Sequence, residues 1–313
     1  MADIRHALWF IAIAGSIFVL SIAFEWGYLF HRGNRSSYDL REVLANICTG
    51  IMYKGLDGVI VALFVTWAYD DVVKFGLPVH FSSTPVKIAA AFLITDITYF
   101  ALHWLMHKTR YGWSSHVTHH SSTRFNLAAA LRQNFLFDLS WLVILWCLPM
   151  ALVGFDRMTA VVAIELNLAY QFFIHTEVVD RLPAWCEAIF NTPSHHRVHH
   201  SDVPGEMESN LGGVLIVWDR LFGTFLDERD VGKINYGIPH RPLQTLNPLR
   251  LNLEECFRMW RDVWRNRDIS LLWKHPDWLE DDYHRRTGAT LRLRPPADAV
   301  PVAHQPQSAI RLS

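Results

Sequence analysis

The sequence predicts an all-α integral membrane protein with about four transmembrane helices or hairpin arms and a cytoplasmic, histidine-rich helical cap. Three observations predict it. The 313 residues are 51% hydrophobic, with 13 Trp and 19 Phe, and mean hydropathy is +0.12, which is too apolar for an ordinary soluble domain. Long uncharged runs recur along the first 174 residues. Of 17 histidines, ten lie between His103 and His200, where the apolar runs end. A net charge of −1 supplies no basic field for nucleic acid. Cys48, Cys147, Cys186 and Cys256 are scattered without a C-x-x-C, and read as buried free thiols.

The first element is residues 7–24, 18 uncharged residues that are long enough to span. A signal peptide is the competing reading. Only Arg5 precedes the run and no A-x-A follows it, which favours a retained anchor. Residues 31–41 are a polar loop with three arginines. Residues 43–69 are apolar except for Lys54 and Asp57. Mid-membrane charges are costly, so either these two neutralise each other at i, i+3 or the segment breaks at Gly55 and Gly58. Residues 70–85 form a loop, and residues 86–105 a second clear span that contains Asp96. An apolar hairpin follows, 135–155 and 159–174, turning at Gly154-Phe155-Asp156 and either crossing fully or dipping into one leaflet. Residues 1–85 thus read as an anchor region, 86–226 as the catalytic domain, 227–286 as a polar helical region and 287–313 as a disordered tail.

The histidines carry the chemistry. His103 and His107 form H-x3-H. His116, His119 and His120 form H-x2-H-H, and His196, His199 and His200 repeat it. Residues at i, i+3 and i+4 share a helix face, so each set can aim its imidazoles at one point. Neutral imidazole binds borderline metals, iron and zinc among them. A closed structural zinc site takes four ligands, and eight or nine nitrogens suit two metals in one cage. Asn167, Gln171 and His175 recur every four residues, a polar face that makes His175 a ninth ligand. Glu165 lies off that face. Asp96 shares a stripe with Tyr99, His103 and His107, where it can accept the N–H of a ligating histidine or make an inter-helix bond. His195 breaks the spacing of its set and reads as a neighbour of the ligands.

These residues resemble the fatty acid hydroxylase / sterol desaturase superfamily. The resemblance rests on D-x2-Y-x3-H-x3-H (Asp96, Tyr99, His103, His107) and two H-x2-H-H sets, over residues of about 90 to 226. It implies a membrane di-iron site, O2 as oxidant, and hydroxylation or desaturation of a lipid C–H bond. HHSSTRFNLAAALRQN (119–134), QFFIHTE (171–177), NTPSHHRVHH (191–200) and NLGGVLIVWDRLFGTF (210–225) are similar to signatures of the alkylglycerol monooxygenase branch. That branch implies a tetrahydrobiopterin reductant and cleavage of glyceryl ethers. Thr123 stands where branch members usually have Glu, and the polar region after the shared core stands where they continue into further membrane segments.

Two other functions compete. One is a sterol or fatty-acid desaturase or hydroxylase fed by an external electron donor. The other is a metal-handling membrane transporter, which would place ligands mid-membrane between repeats; no repeat is visible here. The sequence shows no haem or flavin segment, so the electron donor is unidentified. Lys and Arg are densest in 106–134 and 31–41 and sparse in 70–85. The positive-inside rule then puts the histidines on the cytoplasmic face, with the N-terminus out and the C-terminus in.

Overall fold

The computed structural model describes residues 2–60, 66–77, 79–239 and 241–292. No strand occurs among the described residues; β-structure is limited to isolated bridges such as Phe190 with Leu215. The helices in order are α1 (Ala2–His31), α2 (Leu40–Ile60), α3 (Thr66–Val73), α4 (Thr84–Lys108), α5 (Arg110–His120), α6 (Leu136–Leu139), α7 (Leu142–Leu152), α8 (Arg157–Phe173), α9 (Ala184–Ile189), α10 (Pro193–His199), α11 (Pro204–Met207), α12 (Val217–Phe222), α13 (Pro248–Asn266) and α14 (Asp281–Thr287).

Two helical segments among the described residues are long and apolar enough to cross a membrane, Arg35–Ile60 and Thr84–Lys108. A third is reached if Ala129–Leu139 and Leu142–Leu152, bent by 81°, count as one span. Among the described residues two to three segments therefore qualify, against an expected count of about four. The 7–24 run falls within α1, but the side chains of residues 2–12 and 14 lie outside the described residues. The bend between α6 and α7 has a local cause: Trp141 takes a left-handed φ of 63°, which a bulky residue adopts only when its surroundings demand it. α2 does not break at its glycines. It runs through Gly55 and Gly58 to Ile60, and Lys54 pairs with Asp57 at 3.2 Å.

Two turns position the site. Between α4 and α5 there is one residue, Thr109. Its N–H donates to Leu105 O, closing α4, while its side chain accepts from Gly112 N, opening α5. A Cβ on Gly112 would lie 2.6 Å from Met106 Cα, so only glycine lets α5 fold back this tightly on α4. All of α5 but Tyr111 is buried. Arg110, fully buried at its head, bonds Glu255 at 3.1 Å and Asp262 at 2.6 Å on α13. Removing one side of such a buried pair costs about 3–5 kcal/mol. The second turn joins α7 to α8. Gly154 sits at φ 87°, and Asp156 caps α8 by accepting from Thr159 N.

α1 closes one flank. Phe18 stacks on Phe172 at 4.0 Å, and Ile22 and Leu29 pack with Val43, Leu127 and Phe172. Glu25 is buried there and accepts from Tyr38, Thr176 and the Leu127 N–H, pinning α1 beside His175. Of the expected tail, Leu291 packs against Leu271, Leu279 and Tyr283, and residues 293–313 lie outside the described residues.

Candidate metal centre

All nine histidines predicted as ligands converge, and they divide into two groups. His103, His107, His116, His120 and His199 form one; His119, His175, His196 and His200 form the other. Within each group the ligand atoms lie within 4.8 Å of one another. The groups touch, with the His120 and His200 rings stacked at 4.4 Å.

This corrects the expectation that each H-x2-H-H set aims at one point. On α5, His116 and His120 go to the first group and His119 to the second. Around α10, His196 and His200 go to the second and His199 to the first. Helical geometry explains the split. Residues i and i+4 sit about 40° apart on the helix and i+3 about 60° to the other side, so the i, i+4 pair stays together and i+3 points away.

The hydrogen bonds fix several tautomers. A carbonyl only accepts, so a ring nitrogen bonded to one carries the proton. Nδ1 donates to Leu211 O from His103 (2.8 Å), to Arg132 O from His119 (3.2 Å), to Gln171 O from His175 (2.7 Å) and to Ser209 O from His199 (2.9 Å). Each of these rings is left with a lone pair on Nε2. His119 Nε2 faces His175 Nε2 at 3.1 Å, lone pair against lone pair, a contact that no hydrogen bond between the two can satisfy. His103 and His116 meet at 2.9 Å through Nε2, and His175 and His196 at 3.0 Å. Two nitrogens bound at about 2.1 Å to one ion and subtending 90° lie about 3.0 Å apart, against about 3.4 Å for a tetrahedral angle. The observed spacings match ligands around a common cation of more than four-fold coordination. His107 Nε2 and His199 Nε2 are buried without a hydrogen-bond partner, as atoms waiting for a metal would be.

Burial also sets the charge state. It holds His116, His119, His120, His196, His199 and His200 well below the usual imidazole range, and the neighbouring rings add to the effect. The rings are therefore neutral ligands at pH 7.

Asp96 does not touch a histidine. Its carboxylate accepts from Asn167 Nδ2 (2.8 Å), Val214 N (2.8 Å), Leu215 N (3.1 Å) and Trp218 Nε1 (2.8 Å). It lies about two turns before His103, too far back for that ring, and instead ties down the 211–218 segment whose Leu211 carbonyl orients His103. Gly213 makes that approach possible, since a Cβ there would stand 2.8 Å from Tyr99 and 2.9 Å from Asn167. His195 also stays out of both groups. Its Nε2 faces Glu187 at 3.2 Å and its Nδ1 closes the capping box of α10 with Thr192. Burial outweighs the Glu187 attraction and lowers its pKa to about 4.

Sequence reasoning missed Glu208. Its carboxylate lies 3.4 Å from His107 Nδ1 and 3.1 Å from His275 Nε2, and also pairs with Lys108. Burial opposes its ionisation, but these partners hold it well below the usual carboxylate range. Nothing in its local spacing marks it, because its partners come from positions 100 residues back and 67 ahead. Glu165, unexplained in the sequence, pairs with Lys54 at 2.8 Å; charges inside spans come with partners, and that rule could have matched them.

A cavity of about 460 Å³ runs from His116, His119 and His175 between α1, α2 and α8. Its middle is apolar, with Phe18, Ile47, Leu131, Trp146, Leu168 and Phe172 in the wall. Ser115, Gln133 and Gln171 line the histidine end. Buried neutral imidazoles in two groups, opening on a greasy cavity between apolar helices, form a candidate metal centre facing a lipid-sized site.

Comparison with known proteins agrees. Residues 88–224, which hold all nine histidines, match the fatty acid hydroxylase family model. Among individual proteins, the chain is 39% identical to alkylglycerol monooxygenase of Homo sapiens over 217 residues, 68% of this chain and 46% of that protein. To the Xenopus tropicalis alkylglycerol monooxygenase it is 39% identical over 195 residues, 60% of this chain and 41% of that one. It is 29% identical over 139 residues to the ornithine lipid hydroxylase OlsE of Rhizobium tropici, 44% of this chain and 41% of that one. The chain thus spans a little under half the length of the alkylglycerol monooxygenases it matches. No solved structure gives a significant match.

Proposed function

We propose that the protein is a membrane di-iron monooxygenase that oxidises a C–H bond of an amphiphilic lipid, with a glyceryl ether as the favoured substrate. The observation that carries this reading is the pair of histidine groups beside a mostly apolar cavity that His116, His119 and His175 line. His103, His107, His116, His120 and His199 hold one iron, and His119, His175, His196 and His200 the other. Bound iron supplies the oxidation of the C–H bond by O2; one oxygen atom enters the lipid and the other leaves as water, at the cost of two electrons and two protons.

The chain's own residues do the rest. The apolar wall holds the alkyl chain and excludes water from the histidine end. Ser115, Gln133 and Gln171 offer polar atoms to the head group there. Arg132, bound to Asn46, Ser121 and Glu42, keeps its carbonyl against His119. Hydroxylation of the first alkyl carbon of a glyceryl ether gives a hemiacetal, which separates into fatty aldehyde and glycerol. The reductant proposed is tetrahydrobiopterin, delivered from the cytoplasmic face. The high similarity to alkylglycerol monooxygenases supports ether cleavage; the similarity to the ornithine lipid hydroxylase supports the lipid oxygenase class more broadly.

The test supplies membranes containing the protein with a 1-O-alkylglycerol, O2 and a tetrahydropterin, and measures fatty aldehyde. Aldehyde formation, lost in His199→Ala, is expected. Absence of aldehyde from iron-replete protein refutes ether cleavage, and a stable hydroxylated lipid in its place keeps the oxygenase class.

A further inference from the structure

The cavity has a far end that the proposed reaction does not use. Lys54 Nζ lies 2.8 Å from Glu165 Oε1 and 3.2 Å from Asp57 Oδ2, and Lys54 and Glu165 both line the cavity. Lys54 and Asp57 lie within the span-length segment Arg35–Ile60 and Glu165 on α8; Glu165 precedes His175 by ten residues, about 15 Å at the rise of a helix. Ionisable residues inside spans face cavities and mark substrate paths. This cluster is already satisfied internally, one ammonium between two carboxylates, so it needs no polar group from a ligand. What it presents to an incoming methyl terminus is charge, which an alkyl chain cannot solvate.

We infer that the Lys54–Glu165 pair, with Asp57 behind it, is a stop that ends the alkyl-binding part of the cavity and sets the chain length accepted. This rests on the reading of the cavity as an alkyl site. Single C–C bonds of about 1.5 Å advance an extended chain about 1.25 Å per carbon, so about 15 Å holds roughly a dozen carbons beyond the metal-proximal one. Up to the stop, each added methylene exchanges lipid or detergent contact for the packed cavity wall and tightens binding. Beyond it the chain turns out between α1 and α2, where Val19 and Ile51 are exposed, and further methylenes gain nothing.

The experiment needs no turnover. Purified protein in detergent is equilibrated with an equimolar series of 1-O-alkylglycerols with chains of roughly 8 to 18 carbons, and with a parallel series of n-alkanols. Bound lipid is quantified by mass spectrometry, normalised to protein-free micelles. Retention should rise with length and level off near a dozen carbons. In Lys54→Met/Asp57→Asn/Glu165→Leu, which removes the charges together, the break should move by at least two carbons. Ile47→Phe leaves the ion cluster intact and narrows the middle of the path, and its break should move to shorter chains. A break that stays in place in both variants, or no break at all, overturns the inference. A break seen with alkanols and no alkylglycerol binding supports the stop while refuting the glyceryl ether head group.

Discussion

Replacing Asp96 by Asn tests how the fold orients a metal-binding histidine. The substitution is nearly isosteric but leaves one acceptor oxygen where there were two. Oδ1 now accepts from Asn167 and Val214, and Oδ2 from Leu215 and Trp218. Whichever oxygen becomes the amide nitrogen, two donors lose their acceptor and meet another donor. Hydrogen bonds to a charged group contribute about 1.5 kcal/mol or more each, so the loss should be about 3 kcal/mol. Bonds between membrane helices average only about 0.6 kcal/mol, but three of these four donors lie on the 214–218 segment, Val214 and Leu215 buried and Trp218 half-buried, so the larger figure applies. For a chain of this size about 3 kcal/mol lowers Tm by roughly 6 °C. The same change loosens the 214–218 end of the segment whose Leu211 carbonyl orients His103, leaving Asp219 to hold the Leu211 N–H. Iron should therefore be lost from the five-histidine group, and the four-histidine group should keep its metal. Thermal unfolding in detergent and iron analysis on the same samples give both numbers. Full iron with a Tm within a degree of the parent would refute the idea that Asp96 holds His103 through this segment.

The neighbours His119 and His120 belong to different groups, so His119→Ala and His120→Ala should each lower iron from about two per chain to about one, with different residual spectra; His195→Ala should keep both ions, and identical spectra for the first two variants would contradict the division. In the metal-free protein, burial sets the folded pKa of six rings below the unfolded value of 6.5. The unfolded state then binds more protons at acid pH, and stability, complete above pH 6.5, is lost as pH falls through it by about 1.4 kcal/mol per pH unit for each ring. Chelated protein should unfold between pH 6.5 and about 5 while the metal-loaded form resists, and equal acid stability of the two would count against buried neutral rings. Reporter fusions after residues 125 and 290 should read cytoplasmic and one near residue 75 external, from the Lys and Arg bias; an external reading at 125 would remove the site from cytosolic electrons.

The convergence of the nine histidines was legible because helical spacing writes it directly into the sequence. His103 and His107, the two H-x2-H-H sets, and His175 at the end of its four-residue polar stripe all reach the centre. The α4 span was legible as a long apolar run despite Lys87 and Asp96. The division into two groups was not, because spacing was read as a shared face and the 100° step between neighbours was not followed through to the rings. Asp96 was legible as a buried acceptor but not as to its partners, since Val214 and Leu215 arrive from 118 and 119 residues away. Lys54 had a visible local partner in Asp57; its closer partner is 111 residues on. Contacts of that separation depend on how helices stack, and no local pattern records them.

The way α5 and the α10 turn each feed both histidine groups has a consequence for how the gene can change. A substitution in either segment alters one ligand. A single-codon insertion or deletion between His116 and His119, or between His196 and His199, turns everything after it by 100°, carries one of the two following histidines to the other group's side and turns its neighbour away from both. Length variation is thus barred from these two short windows, which between them set the division of six of the nine histidines.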